Sequence, residues 1–81
     1  MKHQNIYNRL RRIEGQVRGI EEMVASDKPI LNILIQLEAA KSSLSSTISA
    51  LIEGIFKKNN HNLIELTEEE AKIVLRSLKK N

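Results

Sequence analysis

From about Gln4 to Ala25 the apolar residues Ile6, Leu10, Ile13, Val17, Ile20 and Val24 recur at alternating steps of four and three. That spacing keeps them on one stripe of an α-helix and suits a coiled-coil-like seam. A second series, Ile33, Leu37, Ala40, Leu44, Ile48, Leu51 and Ile55, also steps by threes and fours and forms one stripe, and Ile30, Leu34, Ile52 and Phe56 widen it at both ends. Ser26-Asp27-Lys28-Pro29 between the two reads as a stop and a restart, with Ser26 or Asp27 able to cap orphan amides and Pro29 tolerated only in a first turn. A polar break at Asn59-Asn60-His61-Asn62 precedes Thr67-Glu68-Glu69-Glu70, which matches a capping box with Thr67 as cap and Glu70 reaching back. The third apolar face is Ala71, Val74, Leu75 and Leu78, in a segment whose acid-first, base-last order suits the helix dipole. The predicted helices are about 4–25, 29–57 and 67–79, in one domain covering 1–81.

The second helix, at about 1.5 Å per residue, makes a rod of roughly 42 Å, longer than a small domain is wide. A chain of 81 residues that folds alone hides only about 60% of its extended surface. There is no cysteine or tryptophan, and one Phe and one Tyr, so neither disulfide nor large aromatic supplements the aliphatic core. Self-association follows as the expectation. The fold class is all-α, with the first two helices as an antiparallel hairpin, two hairpins pairing into a dimeric four-helix bundle, and a dimer of dimers beyond that. A monomeric three-helix bundle is the alternative. Ser42, Ser43, Ser45, Ser46, Thr47 and Ser49 are either an exposed polar face or small residues that let another helix approach closely. Gly15 and Gly19 interrupt good helix formers, each costing up to about 1 kcal/mol relative to Ala, so close helix packing or approach of DNA is the reason considered for them.

Thirteen Lys and Arg against ten Asp and Glu give only +3, yet the first nineteen residues hold Lys2, Arg9, Arg11, Arg12 and Arg18 against Glu14 alone. At about 100° per residue, Lys2, Arg9, Arg12 and Gln16 share an arc beside the apolar stripe, while Arg11 and Arg18 occupy a second arc facing away from it. Guanidinium groups match phosphate oxygens, Gln16 can donate to a phosphate or a base edge, and symmetry would multiply the patch. The same residues also fit a solvated face in which Arg11 or Arg18 pairs with Glu14, Glu21 or Glu22. Catalysis has little support: His3 and His61 are the only imidazoles, and neither has a nucleophile or acid at a recognisable spacing. His3 is a weak orphan metal candidate, and no cofactor is expected. No apolar run is long enough for a membrane span or signal sequence, so a cytoplasmic protein is expected.

The run Asn8-Arg9-Leu10-Arg11-Arg12-Ile13-Glu14-Gly15-Gln16-Val17-Arg18-Gly19-Ile20, with Met23 following, resembles the opening of the copper-sensing repressor family. Its wider membership senses copper, nickel or cobalt, formaldehyde, or reactive sulfur. The resemblance continues through Ile33-Leu34-Ile35-Gln36, Ala39, Leu44, Leu51 and Glu53, covering approximately residues 6 to 60. It implies three helices per subunit, a dimer built as an antiparallel four-helix bundle, commonly a tetramer, and repression through operator DNA. Within that frame Arg9 is the first DNA-contacting candidate, followed by Arg12, Gln16, Arg18 and Arg11. Lys41, where family members often have Arg, is a weaker addition.

The departures concern the sensor. The resemblance places the first cysteine ligand at Ile30, and the histidine and later ligand at Ile55 and Asn59. Copper(I) wants soft thiolate and imidazole donors, which these positions do not carry, and thiol chemistry is equally excluded. His3 is similar in place to an amino-terminal histidine of nickel or cobalt sensing relatives but lacks the accompanying ligands. The expected function is therefore a DNA-binding regulator, a repressor, that is constitutive or answers to a non-canonical signal. Its expected partners are operator DNA and itself, its effector is unknown, and the two isoleucines suggest an apolar plug across the dimer interface. The alternative is a helical scaffold or partner-binding subunit that has lost specific operator binding.

Overall fold

A computed structural model describes residues 1–58 and 66–80. Three helices carry the structure: α1 (Gln4–Ala25), α2 (Ile30–Lys58) and α3 (Glu68–Lys80), with no strand among the described residues. Asn59, His61 and the polar break around them lie outside the described residues. The chain divides into two compact units, Met1–Thr47 and Ile48–Asn81.

In the first unit α1 and the amino-terminal part of α2 pack together as an antiparallel hairpin, bridged by a side-chain contact between residues 37 positions apart. The α1 stripe divides by heptads. Ile13 and Ile20 are buried and Ile6 is half-buried, whereas Leu10, Val17 and Val24 remain about half exposed. On α2 the complementary positions are Ile33, Ala40 and Thr47, again seven apart, with Ala40 and Thr47 buried. Ile13 lies beside the small Thr47 and Ile20 beside the small Ala40, a pairing of large with small that lets two helix axes come close. Burying a hydroxyl there leaves no donor unmet, because Thr47 Oγ1 donates to the Ser43 carbonyl at 2.8 Å. Much of the apolar surface remains uncovered: Ile30, Leu34, Leu37 and Leu44 on α2 are between 45% and 84% exposed. A face of that kind is what a second subunit would cover.

The turn uses Ser26 and Asp27 to end α1. Asp27 has φ 54°, its N–H donates to the Val24 carbonyl at 3.2 Å, and the Lys28 N–H reaches back to Met23 at 3.0 Å. These two bonds make a Schellman ending, with Asp in the left-handed position more often held by Gly. Ser26 adds its hydroxyl to the Glu22 carbonyl at 2.7 Å. Pro29 stands just before α2 rather than inside its first turn, and its carbonyl accepts from Asn32 and Ile33 at 2.9 and 3.2 Å. Proline suits that position because no N–H is required of it.

In the second unit the capping box at the start of α3 is complete. Glu70 N–H donates to Thr67 Oγ1 at 3.1 Å, and Thr67 N–H donates to Glu70 Oε1 at 2.9 Å. Ile52 on α2 is buried, Ala71 and Val74 are half-buried, and Ile73 and Leu75 are exposed.

Candidate nucleic-acid interface

The geometry of the hairpin sorts the basic residues into three places. Arg9, Arg12 and Gln16, on successive turns of α1, line one side of a cleft of about 540 Å³. Its opposite wall is α2, contributing Ser42, Ser43, Ser46 and Thr47, and Ile13 forms the apolar floor between them. Among the described residues no acidic side chain lines it. Arg9 spans the cleft: its Nη1 donates to Ser46 Oγ at 3.1 Å. In that pose the Arg9 Nε–H is buried with no acceptor, a donor left unmet at a cost of roughly 1 to 3 kcal/mol. Ser43 and Thr47 commit their hydroxyl protons to carbonyls one turn back, at 3.1 and 2.8 Å. Their oxygens therefore remain in the cleft lining as acceptors only.

Arg11 and Arg18 lie elsewhere on α1 and share one carboxylate. Arg11 Nε is 3.3 Å and Arg18 Nη1 3.7 Å from Glu14 Oε1, with all three side chains more than half exposed. Arg11 is held further by Tyr7, whose hydroxyl accepts from Nη1 at 3.0 Å. The sequence had left open a solvated face with Arg–Glu pairs, and for these two arginines the pairing forms. Such exposed pairs are weak, about 0 to 1 kcal/mol, so they bias the guanidinium positions without sequestering them. Lys41 joins neither group. It borders an apolar groove formed by Val17, Ile20, Val24, Leu37 and Leu44, with Glu21 nearby.

The remaining candidates are more dispersed. His3 is the exposed residue preceding α1 and makes no side-chain cap to it. Ile30 is 84% exposed at the start of α2, and Ile55, in the other unit, is half-buried. Among the described residues no group of three His, Cys, Asp or Glu is placed to hold a metal ion. Gly15 and Gly19 have no close neighbour within the hairpin. A methyl group on Gly15 would meet only the end of Arg18, at 3.9 Å, and one on Gly19 would meet nothing within 4 Å. Close packing of α1 on α2 is therefore not the reason for either glycine.

Sequence reasoning did not single out the hydroxyl wall or Tyr7. Ser42, Ser43 and Ser46 read equally well as packing residues or exposed polar ones, and choosing between these readings requires the register across the hairpin. The i, i+4 spacing of Tyr7 and Arg11 was the available signal for their contact.

These features place the chain among all-α proteins built on a helical hairpin, with a basic cleft between the two helices. The chain belongs to the metal-sensitive transcriptional repressor family, which matches residues 2–80. That is a family of repressors rather than enzymes. The chain is 46% identical over 48 residues to the copper-sensing transcriptional repressor CsoR of Bacillus subtilis (strain 168), covering 59% of this chain and 48% of that protein. It is 45% identical over 49 residues to the copper-sensing transcriptional repressor RicR of Mycobacterium tuberculosis (strain ATCC 25618 / H37Rv), covering 60% of this chain and 51% of that protein. The matched part thus spans about half the length of these curated relatives. No solved structure matches the chain at a significant level. No helix among the described residues is long and apolar enough to cross a membrane.

Proposed function

We propose that the protein is a DNA-binding transcriptional repressor acting as a homo-oligomer, with the Arg9, Arg12 and Gln16 cleft as the core of its operator surface. The observation that carries this reading is the convergence of two guanidinium groups and an amide on a cleft that no acidic side chain lines among the described residues, in a member of a repressor family. Arg11 and Arg18 extend the positive surface around α1, and Lys41 adds to it only in the assembled form. The exposed faces of Leu10, Val17 and Val24 on α1 and of Leu37 and Leu44 on α2 support pairing of hairpins into a four-helix bundle, and a dimer of dimers would multiply the cleft.

Copper is named in the curated relatives, but the donor set of this chain does not fit it. The chain has no cysteine. Isoleucine at positions 30 and 55 offers no lone pair, and copper(I) requires soft donors. Repression that is constitutive or tied to another signal is the reading in keeping with that chemistry.

The competing reading is a scaffold or partner-binding subunit without operator specificity. It draws on the Glu14 carboxylate that partly neutralises Arg11 and Arg18. Titration of duplex fragments from around the gene at stated salt separates the two. A repressor binds one fragment far more tightly than random duplex, whereas equal weak binding to all fragments rejects specific repression.

A further inference from the structure

We infer that the cleft between α1 and α2 is a site for a single tetrahedral oxyanion of the phosphate class, at which a free anion and a DNA backbone phosphate are alternatives. The inference deepens the repressor reading and rests on it for the DNA arm only. Three features of the cleft distinguish it from an ordinary basic surface.

The first is its lining: Arg9 and Arg12 supply forked N–H donors from one wall, and Ser42 and Ser46, whose hydroxyl protons, unlike those of Ser43 and Thr47, are not committed to a carbonyl, line the other. A tetrahedral oxyanion presents separate oxygens to the two N–H groups of a guanidinium fork and a further oxygen to the opposite wall, whereas chloride offers one centre to every donor and cannot pair bidentately.

The second is the state of Arg9. Its guanidinium is latched to a neutral hydroxyl through Nη1 while Nε is buried without an acceptor. Rotation off Ser46 to meet an oxyanion exchanges one neutral acceptor for charged ones and relieves the unmet donor. Arg9 is therefore held in a pose that an oxyanion improves.

The third is Arg12, which makes no side-chain hydrogen bond or ion pair among the described residues although it lines the same cleft. Arg11 and Arg18, by contrast, are both within 4 Å of Glu14. Of the α1 arginines, those at the cleft are thus the ones without a carboxylate partner.

A free phosphate-class anion would then displace DNA beyond its effect as salt, giving this chain a means of release that needs no thiolate. The test is an NMR titration of the full chain with inorganic phosphate, against sodium chloride at matched ionic strength and pH. Saturable shifts at the Arg9 and Arg12 side chains and the Ser42 and Ser46 amides are expected, with affinity falling about tenfold in Arg12→Gln and unchanged in Lys28→Gln. Arg12 makes no side-chain hydrogen bond or ion pair among the described residues, so an unchanged thermal midpoint in Arg12→Gln is expected beside the lost affinity. In parallel, phosphate should weaken binding of a fluorescent duplex several-fold more than matched chloride, and Arg12→Gln should abolish the difference. Indistinguishable phosphate and chloride shifts, or shifts unaltered by Arg12→Gln, would overturn the site. Saturation of the cleft without any effect on bound duplex would overturn the shared use. A chain that binds phosphate at the cleft but no duplex at all would overturn the DNA reading and leave the oxyanion site standing.

Discussion

Arg9 on α1 donates from Nη1 to Ser46 Oγ on α2 at 3.1 Å, a bond between side chains 37 residues apart. It ties the basic edge of one helix to the hydroxyl edge of the other. Removing the acceptor in Ser46→Ala should lower stability by about 0.5 to 1.5 kcal/mol. The check is urea unfolding at fixed protomer concentration, since an oligomer's apparent stability moves with concentration. No change would mean that the bond contributes nothing net to the hairpin.

Glu14 sits between Arg11 and Arg18. Glu14→Gln should leave stability within about 0.5 kcal/mol, because exposed pairs contribute little. It should tighten duplex binding and steepen the dependence of log affinity on log salt, because two guanidinium groups lose their competing carboxylate. Fluorescence anisotropy across a salt series measures both. An unchanged slope would place Arg11 and Arg18 outside the DNA surface.

Gly19 has open space where a side chain would begin. Gly19→Ala should raise the stability of α1 by up to about 1 kcal/mol, through lower unfolded-state entropy and better helix propensity. Thermal unfolding at fixed concentration reads the gain. A loss of stability would show that another subunit packs closely at Gly19. A gain accompanied by weaker duplex binding would assign the glycine to the approach of DNA.

Leu37 and Leu44 border an apolar groove and are 49% and 45% exposed. Changing Leu44 to Glu should dissociate the oligomer in sedimentation equilibrium while α1 and α2 retain their helical signal. A charge at a buried interface position is costly, whereas on an open surface it is neutral. An unaltered sedimentation mass would put the interface on another face.

The parts of the fold legible in the sequence were those decided by local chemistry. The four-three spacing of Ile6 through Val24 and the Thr67 and Glu70 box rest on contacts within one or two turns, and both form. The ending of α1 was less legible, because Asp27 adopts a left-handed conformation that glycine would have advertised more openly. The division of the α1 stripe into buried Ile13 and Ile20 and exposed Leu10, Val17 and Val24 was not legible. Which half of a seam meets its own chain depends on the rotation of α1 against α2.

The candidate interface divides the same way. Angular placement grouped Lys2, Arg9, Arg12 and Gln16 and separated them from Arg11 and Arg18; the structure brings Arg9, Arg12 and Gln16 to one cleft, while Lys2 precedes α1 and is not among the described residues that line it. The contact of Arg9 with Ser46, and the hydroxyl wall around it, required pairing across the turn. Lys41 came into consideration through resemblance to a family, and the hairpin places it beside Leu37 and Leu44 in another groove.

The most direct test of the account is the affinity of the double variant Arg9→Ala, Arg12→Ala for the fragment that the natural chain binds best, measured at fixed salt with oligomer mass monitored in the same samples. The account predicts a loss of at least about tenfold, a shallower salt dependence and an unchanged mass. Unchanged affinity with unchanged mass would contradict it and move the DNA surface away from the cleft.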